Sequence, residues 1–484
     1  MAEMHFFHKR ELYRQLSACL GRTLGEVDVN NVFDKTKYHP KITGIAGDVV
    51  EQSILGYPSD SDQRPDLDVD GVPTELKVTG LKRSKTNPGV FEAKEPMSIT
   101  AVSPESIVFE NFYNSHFWEK LEHMLIVYYL YDSESTVNAA GYANFPIEGF
   151  DFHEFSKEDE EILKNDWTTV RDFIDMLQKN YYDCENQYPR ISSELRTELL
   201  YIDTAPKWPH PPRFRLKRSV VTTMWEECCG RMHEHLHLDV YTYEELDWEC
   251  HRIAEHYRHM TGSEILDSVG YPARRMNKSI MEPVVIAMFG GKSSKMADIE
   301  LFSKIGLVSK TIVITRTGKR TEDTKFIPVD FDEIVDLSVI FEESECYDYF
   351  YNGVFLFSIF EEPYPKAPLG ECRFLGFKRL TFDERFIDVE LRRTWERIRH
   401  LILSNELKDV IEYDRNGRPI INPCGTVRSA PNFPKASEGT VFLRGTSTNS
   451  LLKPLQINGI NMTYQNYWVK GTYIVDKLNE INYL

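Results

Sequence analysis

No stretch of this 484-residue chain is apolar for long enough to cross a bilayer; the longest such run goes from Met124 to Tyr131. The opening residues lack the basic-then-apolar pattern of a secretory leader, so a cytoplasmic protein with no membrane contact is expected. The eight cysteines, at 19, 184, 228, 229, 250, 346, 372 and 424, never stand as Cys-x-x-Cys. That argues against a structural zinc site, and the adjacent Cys228-Cys229 read as reduced core or boundary residues. Positive charge is also short: 57 Lys and Arg face 75 Asp and Glu, a net charge of −18. Such a chain repels nucleic acid on average, so any binding must come from local basic clusters. These are Lys82-Arg83-Lys85, Arg213 to Arg218, Arg274-Arg275-Lys278 and Lys292-Lys295, and each taken alone is more often a solvated face. What is not short is core-forming material. With 41% hydrophobic and 12% aromatic residues, the chain has enough for two or three globular domains.

One stretch organises the rest, Gly44 to Lys77. Ile45, Val49 and Leu55 recur at helical spacing and Gly56-Tyr57-Pro58 stops that helix, which carries Glu51. Asp70-Gly71 then reads as a hairpin turn between Leu67, Val69 and Val72, Leu76, Val78. Side chains alternate along a strand, so Glu75 and Lys77 share one face while Leu76 points into a core. Asp66 on the partner strand lies within reach of Glu75 across the ladder. Two carboxylates, the Leu76 backbone carbonyl and an ammonium then meet at one point. Hard oxygen donors of this kind suit a Mg2+ ion that keeps several waters. The bland alternative is a solvated hairpin, since a loose Pro-Asp…Glu-x-Lys match arises often by chance.

The order of residues favours the sharper reading. Gly44, Gly47, Glu51, Leu55-Gly56, Pro65-Asp66 and Glu75-Leu76-Lys77 resemble the active-site block of the MutH family of mismatch-repair endonucleases and the type II restriction endonucleases related to it that cut at GATC. Ser115-His116, Lys120-Leu121 and Met124-Leu125, running to Tyr131-Asp132, continue the resemblance, as do Lys164 to Trp167 and Phe214 to Lys217. The length fits the two-domain restriction enzymes better than one-domain MutH. The resemblance implies a PD-ExK site in which Asp66, Glu75 and the Leu76 carbonyl hold Mg2+. Lys77 positions the attacking water, Glu51 holds a metal-bound water or anchors Lys77, and Lys120 contacts the phosphate.

Around this block, residues 5–26 read as one helix with Leu12, Leu16 and Leu20 on its apolar face, and Arg83 to Pro96 reads as a loop. Ser156 and Asp159 suggest a capping box opening a helix with Ile162, Leu163, Trp167, Val170, Ile174 and Leu177 inward. Tyr201 to Lys217 is rich in proline and arginine. By resemblance this region reads base edges, with Lys207, Arg213, Arg215 and Lys217 as candidates, because Arg and Lys suit the O6 and N7 acceptors of guanine. The Arg-Pro-Lys stretch of MutH is not plainly present; Ala205-Pro206-Lys207 is the nearest match. Arg231 to Met260, with histidines at 233, 235, 237, 251, 256 and 259, reads as a helical connection whose histidines lie on the surface.

The second half resembles the first with its chemistry removed. Val285 stands at the Glu51 position, and Val308-Ser309-Lys310 stands where Glu-Leu-Lys would be. Thr394-Trp395 parallels Asp166-Trp167, and Tyr467 to Lys470 parallels Phe214 to Lys217, with Arg428 ahead of it. Valine offers no metal ligand, so no catalysis is expected there. By resemblance this half binds a second DNA copy as an effector, with Arg428 and Lys470 as contacts.

The expected architecture is α/β: two restriction-endonuclease-like domains, each a mixed sheet flanked by helices, the second degenerate. The expected division is a catalytic domain at 1–228, a helical connection at 229–262 and an effector domain at 263–484. The expected function is a type II restriction endonuclease cutting double-stranded DNA at a short palindrome, GATC by resemblance. Expected partners are double-stranded DNA, a cognate DNA methyltransferase and a transient homodimer. Two rivals stand beside it: a MutH-type nickase or methylation-dependent nuclease, and a non-catalytic DNA-binding regulator.

Overall fold

In a computed structural model, residues 5–58, 64–84, 89–133, 136–206, 208–319, 322–422, 425–447 and 451–484 are described. Contacts divide the chain into two compact units. The first holds 1–133, 137–249 and 290–307; the second holds 134–136, 250–289 and 308–484. Residues 290–307 thus pack with the first unit although they follow part of the second in sequence. No described helix is long and apolar enough to cross a membrane.

The first unit is built on a six-stranded mixed sheet. Its strands are β1 (His5–Phe7), β2 (Leu67–Val69), β3 (Val72–Arg83), β4 (Phe91–Ala93), β6 (Met124–Leu130) and β7 (Ile147–His153), in the order β1-β2-β3-β6-β7 with β4 on β3. β2 and β3 form the expected hairpin, Val69 opposite Val72. Asp70 and Gly71 both take positive φ, 53° and 89°, as a two-residue hairpin turn demands. β3 and β6 run parallel with Glu75 opposite Met124, and every residue of β6 is buried. A central strand covered on both faces explains that unbroken apolar composition. A smaller antiparallel sheet orders β5 (Met97–Ala101), β9 (Arg213–Leu216) and β8 (Ile202–Asp203).

The helix Lys157–Asn180 starts where Ser156 caps the Asp159 amide, and all six of its expected core residues are buried. Buried Asp166 accepts from the amides of Leu200, Tyr201 and Ile202 at 2.9, 2.8 and 3.2 Å, tying this helix to β8. Burial nevertheless pushes its pKa up to about 6.

Three local expectations are corrected. Residues 5–26 are not one helix but β1, a helix Lys9–Ser17 and a helix Leu24–Val27. Gly21 turns with φ of 74°, and Thr23 with Glu26 forms a capping box that begins a new helix, so Leu20 is left 43% exposed. The segment after Arg83 is no plain loop, because β4 returns along β3 with Leu81 opposite Ala93. In the proposed connection only Tyr243–Tyr257 is helical, and His233 is buried against Glu226 at 2.9 Å.

The second unit repeats the layout. β10 (Leu307–Ile314), β12 (Val354–Glu361) and β13 (Arg373–Leu380) form one sheet; β11 (Thr324–Pro328), β19 (Tyr464–Val469) and β16 (Val441–Thr446) form another. Two small ribbons pair β14 (Asp409–Ile411) with β15 (Ser429–Pro431), and β17 (Leu455–Ile457) with β18 (Ile460–Met462). Ser344 caps the helix Glu345–Tyr351 through the Tyr347 amide, as Ser115 caps the helix His116–Glu119 through that of Trp118. Thr394 donates to the Val441 carbonyl at the start of β16, in the role that Asp166 plays for β8. Lys217 and Lys470 each stand as N-cap of the helix that follows β9 and β19.

Trp167 fills the centre of its helix face, 1% exposed. Trp167→Ala is expected to cost about 3–5 kcal/mol in urea unfolding. Leu20→Ala should stay within about 0.5 kcal/mol of wild type.

Candidate active site

The site grows from the β2–β3 hairpin and the parallel pairing of β3 with β6. Glu75, 2% exposed, sits near the start of β3, where its amide bonds the His123 carbonyl at 2.9 Å. Leu76 turns to the opposite face and joins a core with Leu125, Val127, Leu67 and Val49. Lys77, two residues on from Glu75, returns to the Glu75 face and donates to its Oε1 at 2.6 Å. Lys120 ends the short helix His116–Glu119, just ahead of β6, and is 8% exposed. Its ammonium reaches both Glu75 oxygens, at 2.9 and 2.8 Å. Ser115 fixes that helix by donating to the Phe112 carbonyl at 2.6 Å while accepting from the Trp118 amide.

Asp66 precedes β2 and closes the same corner. Its Oδ2 accepts from the Leu76 amide at 3.0 Å. A residue's N–H and C=O leave a strand on the same edge, so the Leu76 carbonyl also faces the Asp66 side, beyond the end of β2. Burial first, and then the neighbouring Glu75 charge, push the Asp66 pKa up to about 6.

This donor set fits a divalent cation. A carboxylate has about four acceptor positions, and the two ammoniums occupy three at Glu75, leaving one open. Two adjoining acids with one pKa raised by the other mark a place where added positive charge is favourable. Asp66, Glu75 and the Leu76 carbonyl would hold Mg2+ there. Glu51 lies in the π-helical turn Val50–Leu55 that follows the helix Ile45–Val49, half-buried.

The DNA-reading candidates fare unevenly. Arg213 is exposed and donates to the Ser98 hydroxyl at 2.5 Å. Arg215 makes a two-pronged pair with Asp203 at 2.7 and 3.0 Å, so a base would have to compete with that carboxylate. Lys217 is corrected. It is 3% exposed, and its ammonium donates to the Leu199 carbonyl at 2.5 Å, so it braces β9 and has no route to a base edge. Lys207 lies outside the described residues. Arg428 is exposed and pairs with Glu412 at 2.8 Å, and Lys470 is half-buried at its helix start.

At the corresponding place in the second unit, Val308 replaces the acid and Val285 lies fully buried in the helix Met281–Met288. Counting from the capping serine, Tyr349 takes the place of Lys120. Lys310 remains, over the Phe326 ring at 5.0 Å, and burial pulls its pKa down to about 8. Sequence reasoning missed the Lys120–Glu75 pairing as the centre of the site, because no local spacing links residues 45 positions apart. It also missed Asp166 as a clamp.

The pH response of Asp66 has a definite sign. Its folded pKa lies above the ordinary value of 3.8, so its stabilising contribution is complete below that value and lost as pH rises through about 6. In EDTA, the melting temperature of Asp66→Asn relative to wild type should therefore rise between pH 5 and pH 8. A flat difference would contradict the raised pKa.

Comparisons agree with this geometry. The family model described as "DNA mismatch repair enzyme MutH" matches residues 55–166, which include Asp66, Glu75, Lys77 and Lys120. The type II restriction enzyme Sau3AI of Staphylococcus aureus is 22% identical over 531 aligned residues, covering 98% of this chain and 99% of that protein. The buried Asp66–Glu75–Lys77 corner with Lys120 across it lies on a mixed sheet within the matched span, and together with the whole-length likeness it supports a MutH-like type II restriction endonuclease.

Proposed function

We propose that the protein hydrolyses double-stranded DNA at a short palindrome, GATC by its likeness to the restriction enzymes of this group, with Mg2+ as cofactor. The observation that carries this reading is the convergence of Asp66, Glu75, Lys77 and Lys120 on one buried corner. A Mg2+ ion bound there supplies a Lewis acid that offsets charge on the phosphate and the leaving oxygen. Asp66 and Glu75 supply the anionic ligands, Asp66 in the ionised form that prevails above its raised pKa of about 6. Lys77 points at the same corner from the Glu75 face and orients the water attacking in line with the 3′ oxygen. Lys120 turns from Glu75 to a non-bridging phosphate oxygen, stabilising charge that grows in the transition state. Glu51 would anchor Lys77 or orient a water at this corner. The products are a 5′ phosphate and a 3′ hydroxyl.

One such site per chain cuts one strand, so double-strand cleavage takes either a transient pairing of two chains on the palindrome or two sequential nicks. A cognate methyltransferase would shield the host's own sites. The second unit, with Val308 and Val285 in place of acids, serves as a DNA-binding effector domain.

Asp66→Ala and Glu75→Ala should each lower the cleavage rate by at least about 10³-fold, with duplex binding in EDTA changed by less than tenfold. Cutting at a normal rate by either variant would place the site elsewhere. Lys310→Met probes the second unit and should leave the cleavage rate per site within about threefold of wild type; a loss comparable to that of Glu75→Ala would make the second unit catalytic.

A further inference from the structure

The second unit carries a small ribbon that has almost no core of its own. β14 pairs with β15, Val410 opposite Ala430. Between them the chain folds into a further antiparallel run. Ile420 bonds Glu412 at 2.9 Å, Arg428 bonds Ile420 at 2.7 Å, and bridges join Tyr413 to Pro419 and Ile421 to Val427. Both faces of this wing meet solvent: Val410, Ile411, Tyr413, Ile421 and Val427 are all exposed. A ribbon this small gains little from its own packing, so its exposed apolar side chains call for a partner.

The tip shows which partner. Asp414 opens a tight turn, with the Gly417 amide on its carbonyl at 3.0 Å and its own amide on the Arg418 carbonyl at 2.8 Å. Gly417 takes φ of 73°, the left-handed position that closes such a turn. The Asp414 carboxylate accepts from the amides of Asn416 and Arg418, at 2.8 and 2.9 Å, and is thereby directed into the turn. Arg415 and Arg418 are exposed, and among the described residues neither guanidinium has a partner. Elsewhere in this unit Arg392, Arg393 and Arg444 each meet a carboxylate and Arg399 meets three carbonyls, while the exposed Arg274 and Arg275 also stand open among the described residues. In a chain of net charge −18, two open guanidiniums at the end of a projecting ribbon are complementary to a polyanion.

We propose that residues 409–422 and 425–431 form a DNA-reading wing: a β-ribbon that enters a groove of duplex DNA, with Arg415 and Arg418 at its tip contacting phosphates or guanine edges and Asn416 between them. The major groove admits a two-stranded β-ribbon, guanidinium pairs with the O6 and N7 of guanine, and the apolar flank can meet thymine methyls. This rests on the DNA-acting reading above and adds to it a specific surface in the unit that lacks the catalytic acids. A second copy of this chain could also cover the apolar face, but it would leave the tip's open guanidiniums without a stated role.

The test uses the full chain with Arg415→Ala/Arg418→Ala, and with Arg415→Lys/Arg418→Lys as the conservative form. Binding to a fluorescent duplex carrying GATC, and to a scrambled duplex, is measured in EDTA at several salt concentrations, beside circular dichroism and sedimentation. The alanine form should bind at least tenfold more weakly and lose about one to two units of the salt slope, with unchanged melting. The lysine form should recover the slope. Wild-type affinity and slope in the alanine form would overturn the wing, as would unchanged binding with loss of a dimer, which would assign the ribbon to a second copy. In either case Asp66-dependent cleavage would leave the nuclease reading standing. Failure of the wild type to bind any duplex would overturn both.

Discussion

The first unit depends on one buried charge, the carboxylate of Glu75. A carboxylate that is 2% exposed is tolerable only when it is paired. Two ammoniums do this, one from its own strand and one delivered by the helix His116–Glu119 just ahead of β6. The parallel register of β3 against β6 makes the second contact possible, since it brings Met124 beside Glu75 and so sets Lys120 over the same face. Asp66 arrives from the other side because the two-residue turn at Asp70-Gly71 holds β2 in register with β3. A turn, a parallel pairing and a capped short helix thus fix three side chains around one point. That is the rigidity phosphoryl chemistry needs, because its catalysis rests on positioning and electrostatics.

The second unit shows which parts of this scaffold are structural. The serine cap before the central strand, the helix-to-sheet clamp at Thr394 and the lysine N-cap after the last strand all persist. What has changed is charge. Valine at 308 removes the acid, and the remaining Lys310 lies over the Phe326 ring, where burial pulls its pKa down to about 8. A domain relieved of a buried acidic cluster keeps its fold at lower electrostatic cost.

Much of the candidate site was legible in the sequence because its residues are local. Period-two alternation placed Glu75 and Lys77 on one face, and the DG pair placed Asp66 opposite. The buried strand at Met124–Leu130 and the capped helix at Lys157–Asn180 followed from composition and the Ser156 signal. What stayed hidden was tertiary. Lys217 looked like a base reader because it follows Phe-Arg-Leu, but only the fold shows its ammonium turned onto the Leu199 carbonyl. The split near Gly21 was hidden by the leucines on either side, although Thr23 and Glu26 carried a capping signal. The return of residues 290–307 to the first unit leaves no local trace, and the wing at 409–422 and 425–431 has strands too short for periodicity to register.

The most direct measurement is a digest of unmethylated phage DNA by the purified chain with Mg2+, and with EDTA as control, followed by sequencing of the fragment ends. The account predicts discrete fragments in Mg2+ alone, opening with GATC and bearing 5′ phosphates. Intact DNA under every divalent cation tried, or cutting that persists in EDTA, would contradict it.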